Sequence, residues 1–155
     1  MKGNESILAT LNSLLADELT AINQYMVHSS MCGNWGYEHL HETVEKRAIT
    51  EMRHAEYLID RILFLDGSPT VNKLNKINIG SKVENQLKSD LAAELDAVKA
   101  YNEGIRLSVE HSDNGTRDLL ESILKDEEEH VDWIEAQLDQ IDQMGLADYL
   151  GEQVG

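Results

Sequence analysis

The sequence is poor in the residues that interrupt helices or cross-link chains. Its 155 residues include one proline, Pro69, and one cysteine, Cys32. A lone cysteine cannot form an internal disulfide, which is typical of a protein from a reducing compartment. Aromatic residues make up only 5% of the chain, while Leu, Ala, Glu and Asp are abundant. These features argue against a disulfide-stapled or β-rich fold and favour an all-α fold without strands.

Positive charge is also scarce. The 13 Lys and Arg residues face 29 Asp and Glu residues, which gives a formal net charge of −16. Such a chain is not expected to bind a nucleic-acid backbone, and its natural small partners are cations. No apolar run approaches the ~20 residues of a membrane span, and the first thirty residues lack the pattern of a signal peptide. The sequence therefore predicts a cytoplasmic protein with a single domain, residues 1–155, and no membrane partner.

Four stripes of apolar residues recur at helical spacing. They run from Ile7 to about Ser30, from Val44 to Leu65, from Val83 to Ile105 and from Leu120 to Ile141. Glycine-rich or polar segments separate them, and Met144-Gly145 leaves room for a short C-terminal fifth helix. Ser81 and Glu84 have the spacing of a capping box at the start of the third stripe. The turns within each pair of helices are tight, whereas residues 67–81 are long enough to cross a bundle, so we predict a four-helix bundle with one long crossover.

Each apolar stripe is interrupted by a carboxylate. The interrupting residues are Glu18, Glu51, Glu94 and Glu127, and His130 accompanies the last. A buried carboxylate must be paired or must bind a metal, because its desolvation is costly. For any one of these residues, a place at the stripe edge with the carboxylate in solvent is an equal alternative. Four such interruptions together favour a buried site.

The spacing of these residues indicates an internal repeat. Glu18 to Glu51 and Glu94 to Glu127 are each separated by 33 positions (51 − 18 and 127 − 94). A shift of 76 positions carries the first hairpin onto the second. It pairs Glu18 with Glu94, Glu51 with Glu127, His54 with His130 and Tyr25 with Tyr101.

The paired residues are predicted to lie at the same distance from the turn of their hairpin. Glu18 lies 17 residues before Trp35 and Glu51 lies 16 after it, so both stand roughly 25 Å from the first turn. The same count about Asp113 places the second set at a similar depth. A third Glu-x-x-His, Glu38 with His41, has no matching carboxylate at the same distance from the turn. It serves as an internal control for a motif that occurs by chance. Six ligands are therefore predicted in one plane.

One Glu from each of two helices and Glu-x-x-His from each of the others form the di-iron carboxylate pattern of ferritin-like bundles. The whole chain resembles the bacterioferritin family, through segments such as "AINQY", "EMRHAE", "RILFLDG", "DEEEH" and "MGLADYL". The resemblance implies an all-α, ferritin-like four-helix bundle. It also implies iron storage and detoxification, with a ferroxidase centre that oxidises Fe(II) with oxygen or hydrogen peroxide.

The resemblance assigns roles to the six predicted ligands. Glu18 and Glu94 would be terminal carboxylates, Glu51 and Glu127 bridging ones, and His54 and His130 the nitrogen ligands of the two irons. Tyr25 lies on the same helix face as Glu18, where the family's tyrosine supplies an electron. From the residues alone, an ordinary core aromatic is an equal alternative for Tyr25.

Met52 points about 100° away from Glu51, towards a second apolar flank with Ile49, Ile59 and Leu63. A lone methionine is usually core filler. By resemblance, however, Met52 from each of two subunits would ligate one haem b at a twofold interface. The resemblance further implies a homo-oligomeric shell of 24 subunits, with mixing of a second subunit type left open. A ferredoxin would donate electrons through the haem for iron release.

One departure from the family and two rival interpretations remain. Some members carry His and Asp on the inner surface as an extra iron site, whereas this chain has Lys46 and Thr50 there, so that site is not expected. A rubrerythrin-like oxidase or peroxidase would normally add a Cys-x-x-Cys domain, which Cys32 alone cannot provide. A structural or electron-transfer subunit of a mixed shell is the other rival, and the complete ligand set argues against it.

Overall fold

The apolar stripes of the sequence form helices throughout the computed structural model, which describes residues 1–155 and contains no strand. The all-α prediction is confirmed, including the short fifth helix. The helices are α1 (Glu5–Asn34), α2 (Glu38–Phe64), α3 (Val83–Glu110), α4 (Asn114–Met144) and α5 (Leu146–Gln153). None of them combines the length and apolar character needed to span a bilayer.

Two of the long helices begin with side-chain caps. Asn4 Oδ1 accepts a hydrogen bond from the backbone N–H of Ser6 at 2.8 Å, which caps α1. Asp113 does the same for α4 through the N–H of Thr116 at 3.0 Å. These side chains satisfy N–H groups that have no partner within the helix.

The predicted capping box at Ser81 and Glu84 is wrong. The N-cap of α3 is Lys82, and no side chain caps this helix. The approach to α3 is fixed instead by contacts at Gly80, whose N–H donates to His28 Nε2 at 2.9 Å and whose carbonyl accepts from Gln86 Nε2 at 3.3 Å. The local spacing was overridden because a side chain from another helix holds the backbone at this point.

The helices form two antiparallel hairpins, α1 with α2 and α3 with α4, each joined by a turn of three residues. Between the hairpins, the chain from Leu65 to Lys82 runs along α1. Its two ends are marked by the hydrogen bonds from Asn12 to Ser68 and from Gly80 to His28. Sixteen helical residues (28 − 12) correspond to about 24 Å, so the connection crosses the bundle lengthwise. The predicted crossover is therefore present.

Two apolar clusters fill the bundle, one towards each end. The first is lined by residues such as Leu11, Leu58 and Tyr101, and the second by residues such as Leu40, Leu87 and Ile134. Along every long helix, the carboxylate that interrupts the stripe lies between residues of the two clusters. A buried polar layer therefore separates the two apolar parts of the core.

Candidate metal centre

The polar layer contains all six predicted ligands. Glu18 comes from α1, Glu51 and His54 from α2, Glu94 from α3, and Glu127 and His130 from α4. None is more than 6% exposed. The alternative in which each glutamate reaches solvent from a stripe edge is therefore wrong.

The six residues divide into two overlapping groups whose ligand atoms lie within 4.8 Å of one another. The first group, called here the His54 half, comprises Glu18, Glu51, His54 and Glu127. The second, the His130 half, comprises Glu51, Glu94, Glu127 and His130. Because Glu51 and Glu127 belong to both groups, they occupy the positions that bridging ligands would take.

Both histidines direct Nδ1 into the carboxylate cluster. His54 Nδ1 lies 3.0 Å from Glu127 Oε1 and 3.4 Å from Glu51 Oε2. His130 Nδ1 lies 3.1 Å from Glu51 Oε1 and 3.3 Å from Glu94 Oε1. Each half thus offers one imidazole nitrogen and oxygens from three carboxylates.

Four carboxylate oxygens in the cluster are buried without a well-aligned hydrogen bond, although histidine nitrogens lie close to two of them. They are Glu18 Oε2, Glu51 Oε1, Glu94 Oε2 and Glu127 Oε1. Orphaned buried oxygens are rare and costly, unless a cation occupies the space between them. A donor set of carboxylate oxygens and imidazole nitrogens suits iron, manganese or zinc. The residues present therefore fit a two-metal centre.

When no cation is bound, the raised pKa values of several groups in the cluster favour their protonated forms. Burial raises the pKa of Glu127 to about 9, and a hydrogen bond with Glu94 adds to the effect. The pKa of Glu51 is also raised well above its usual value, by burial and then by Glu18. Burial alone would lower the pKa of His54, but hydrogen bonds to Glu127, Glu18 and Glu51 raise it well above the usual range. Metal binding must displace these protons.

Two buried tyrosines bind the carboxylates that belong to only one half of the cluster. The Tyr25 hydroxyl donates to Glu94 Oε1, and the Tyr101 hydroxyl donates to Glu18 Oε1 at 2.6 Å. Tyr25 thus lies beside the centre, as predicted. Tyr101 was not predicted as a site residue, although the 76-residue repeat pairs it with Tyr25 and was sufficient to find it.

Two charged residues adjoin the ligands without belonging to the predicted set. Asp126 Oδ2 lies 2.8 Å from His54 Nε2, on the side of the ring away from the cluster. The guanidinium of Arg47 stands 5.8 Å from the centre of the Trp133 ring, and among the carboxylates its charge interacts most strongly with Glu94. No apolar periodicity marks either residue, because neither interrupts a stripe.

The predicted haem ligand lies elsewhere. Met52 is 44% exposed on the flank of α2 that faces away from the centre, and Ile49 and Leu63 are exposed at helical spacing on the same flank. Ile59, which was predicted on that flank, is instead half-buried against the core. The control motif is also remote from the centre, since His41 contacts Ser29 and Glu45 rather than the six ligands.

A cavity of about 480 Å³ between α1, α3 and the crossover leads to the centre. Glu18, Glu51, Glu94 and Glu127 form its inner wall, while Asp17, Asp96, Lys76 and Lys88 are among the residues nearer the surface. Burial and the neighbouring Glu18 raise the pKa of Asp17 to about 6. The cavity gives a small cation a route to the ligands that does not require the helices to separate.

Comparison with known proteins agrees with this geometry. A family model described as a ferritin-like domain matches residues 8–144. A bacterioferritin from Mycobacterium bovis is 43% identical over 145 residues, covering 94% of this chain and 91% of the relative. A bacterioferritin from Rhodobacter capsulatus is 40% identical, with 94% and 90% covered, and a bacterial ferritin from Synechocystis sp. is 39% identical, with 99% of both chains covered. The chain therefore belongs to the ferritin-like family and, within it, to the bacterioferritins.

Proposed function

We propose that this protein stores iron and acts as a ferroxidase, oxidising Fe(II) at the buried centre and depositing ferric mineral. The observation that carries the proposal is the set of four buried carboxylate oxygens that lack a well-aligned hydrogen bond, around two inward-facing imidazoles. Such a set is unfavourable without a cation. Membership of the bacterioferritins supports iron as the metal.

Each predicted ligand has a role in this proposal. Glu18 and Glu94 would be terminal carboxylates, Glu51 and Glu127 would be the shared, bridging ones, and His54 and His130 would supply one nitrogen each. The bound pair of Fe(II) substrate ions supplies two electrons, which reduce O₂ to hydrogen peroxide or hydrogen peroxide to water, with two protons consumed in either case. Holding both ions between shared carboxylates keeps the two one-electron donors together.

The chain itself orients the ligands and manages protons. Tyr25 and Tyr101 each donate a hydrogen bond to a terminal carboxylate, which limits the rotation of Glu94 and Glu18. Cation binding drives off the protons held by His54 and Glu127, which are then available near the centre. Tyr25, in contact with Glu94, is the proposed donor of a further electron when oxygen is reduced beyond hydrogen peroxide by a single pair of Fe(II) ions.

Rapid oxidation of Fe(II) by the apo-protein tests the ferroxidase proposal. Glu18→Ala and His130→Ala each remove one ligand from a different half, so the fast phase in stopped-flow absorbance is expected to fall at least about 100-fold. The matched control is Glu38→Ala, which alters the exposed third Glu-x-x-His and leaves the centre intact. A fast phase that survives in both ligand variants would exclude the six-residue centre as the oxidation site.

We further propose that the exposed apolar flank of α2 packs on a second copy of the chain within a 24-subunit shell. Haem b would bind at that interface between two Met52 thioethers, which are chemically suited to haem iron. A ferredoxin-type donor in the cytoplasm would then reduce the stored mineral through the haem. The exposure of Met52 among apolar neighbours supports this arrangement.

The haem proposal is tested by the absorption spectrum of the purified protein. Met52→Leu keeps the volume and apolar character of the side chain but removes the sulfur, so the spectrum of bis-thioether haem is expected to disappear. Met144→Leu, at another exposed methionine on α4, is the control and should leave the spectrum unchanged. Bis-thioether haem in the Met52→Leu protein would exclude Met52 as the ligand.

A further inference from the structure

The internal repeat makes the centre nearly symmetric in its ligands. The 76-residue shift pairs all six, and it also pairs Tyr25 with Tyr101. Three positions near the ligands break this symmetry, and one of them, Asp90 opposite Leu14 (90 − 76), is already hydrogen-bonded to Gln24 and His28. The other two act on the centre directly. One adds a hydrogen-bonded carboxylate beside the His54 half, and the other adds a positive charge beside the His130 half.

The first difference concerns the outer nitrogen of each histidine. His54 Nε2 lies 2.8 Å from the carboxylate of Asp126. The equivalent of Asp126 in the first hairpin is Thr50 (126 − 76), whose hydroxyl donates to the carbonyl of Lys46 at 3.1 Å. All contacts of His130 with charged groups are made through Nδ1, and no residue of the chain hydrogen-bonds to its Nε2. One histidine is therefore anchored by a carboxylate and the other is not.

The second difference is a fixed positive charge. Arg47 stands beside Trp133 on α4, and among the predicted ligands its charge acts most strongly on Glu94, which belongs only to the His130 half. One of its buried nitrogens, Nη1, has no hydrogen-bond partner. The equivalent residue in the second hairpin is Ile123 (47 + 76), an apolar core residue that is 1% exposed. A cation in the His130 half is therefore repelled by a charge that has no counterpart near the His54 half.

Both differences act in the same direction. A carboxylate that accepts the second N–H of a metal-binding histidine fixes the ring and makes the ligand nitrogen more basic. A nearby guanidinium lowers the affinity of its half for any cation. We infer that the two halves bind divalent cations unequally, with the His54 half filling first and Asp126 acting as a positioning residue for His54. This inference rests on the proposed metal centre.

The wild-type protein provides the first test. A crystal of the apo-protein soaked with one redox-inert Zn²⁺ per subunit is measured at the zinc absorption edge. The stronger anomalous peak is expected in the His54 half. Equal peaks in the two halves, or a stronger peak in the His130 half, would overturn the inference. If no peak appears in either half, the proposed metal centre itself fails.

Variants then assign the cause. In calorimetric titration with Co²⁺, Asp126→Ala is expected to weaken the tighter of two binding steps by about 10- to 100-fold and to leave the other step nearly unchanged. Asp126 is 45% exposed, so its removal leaves no buried cavity. Asp126→Asn, which keeps an acceptor without the charge, is expected to retain part of the affinity. An equal loss in both steps, or no loss, would contradict a role through His54.

A gain of affinity in the weaker step, without an additional binding step, is the most specific outcome, because a carboxylate at position 50 is also available to a metal site beside Lys46 on the inner surface. Thr50→Asp places a carboxylate at the position equivalent to Asp126, so it should strengthen the weaker step and narrow the gap between the two steps. Thr50→Asn is the uncharged control and is expected to have a smaller effect. If Thr50→Asp leaves the weaker step unchanged, the missing carboxylate at His130 is not the source of the inequality.

Discussion

At the proposed metal centre, protons and metal ions would compete for the same buried atoms. With burial and mutual hydrogen bonds raising the pKa of Glu127, Glu51 and His54, the metal-free cluster retains protons that the unfolded chain would release. Those protons reduce the repulsion among four buried carboxylates. The residues that make the centre a good metal site are thus a source of instability in the apo-protein.

The pH dependence of apo-protein stability follows from these shifts. The pKa of Glu127 rises from 4.5 to about 9 on folding, so between those values the native state holds a proton that the unfolded state lacks. The raised pKa of His54 acts with the same sign. Burial lowers the pKa of His130 below its ordinary value of 6.5, which acts with the opposite sign at lower pH. The free energy of unfolding is therefore expected to fall as pH rises from 7 to 9, in metal-free buffer. Denaturant unfolding at a series of pH values measures it.

Glu127→Gln isolates the contribution of this carboxyl group. Gln is neutral at every pH, so the apo-variant should be less sensitive to pH and, at pH 8, more stable than the wild type by at least about 1.4 kcal/mol, the equivalent of one pKa unit. Metal binding should be impaired in the same variant. A variant with the wild-type pH profile would show that Glu127 does not hold the proton.

The residues of the centre differ in the strength of the sequence pattern that marks them. The six ligands could be predicted because each interrupts an apolar stripe or recurs after 76 positions. Tyr101 carried the repeat signal but resembles a core aromatic, since its ring is fully buried in an apolar cluster. Asp126 carried no signal, because it is half-exposed and lies among acidic neighbours that face solvent. Its role is visible only from its distance to His54.

At the scale of secondary structure, the crossover is the element least determined by its own sequence. It has no helix or strand, and one stripe of α1 holds it by side-chain hydrogen bonds. The residues in that stripe are Asn12, Asp17, Thr20, Gln24 and His28. In the sequence they resemble the solvent-facing side of an amphipathic helix, although Thr20, Gln24 and His28 are buried. The helices could be predicted from periodicity, whereas the path of the crossover could not.

Gly80 is the tightest point of this attachment. A Cβ at this position would lie 2.4 Å from the backbone nitrogen of Gln86, which belongs to the first turn of α3 and cannot move independently. Gly80→Ala is therefore expected to lower the free energy of unfolding by about 1 to 3 kcal/mol. Thermal or denaturant unfolding of the apo-protein measures the change.

The control for this prediction is Gly151→Ala. Gly151 lies within α5, and a Cβ there would meet nothing within 4 Å. Because alanine has the higher helix propensity, this variant should be neutral or more stable by up to about 1 kcal/mol. Equal effects of the two substitutions would indicate that the contact at Gln86 is not the cause.

For the whole molecule, charge and architecture act together on cation entry. Each chain carries a formal charge of −16, although Lys76 and Lys88 accompany Asp17 and Asp96 near the mouth of the cavity that leads to the centre. A negative surface raises the local concentration of cations and accelerates their association. Uptake of Fe(II) should therefore depend on long-range attraction as well as on the ligands.

Ionic strength provides the test. Between about 10 mM and about 150 mM NaCl the Debye length falls from roughly 30 Å to roughly 8 Å. The initial rate of Fe(II) binding, followed by stopped-flow at limiting iron, is expected to fall several-fold over this range. A neutral oxidant added to iron-loaded protein serves as the control and should react at nearly the same rate. An unchanged binding rate would exclude electrostatic steering.

The covalent link between the two hairpins has a further consequence. Two separate copies of one hairpin would, in a symmetric pair, present the same side chain to both metal positions, so any carboxylate beside one histidine would recur beside the other. Here residues 65–82 join two hairpins whose sequences differ. Each hairpin can therefore change independently of the other. The equivalent positions have changed in this way, since Asp126 corresponds to Thr50 and Arg47 corresponds to Ile123. The crossover thereby allows a centre built by repetition to hold two chemically distinct positions.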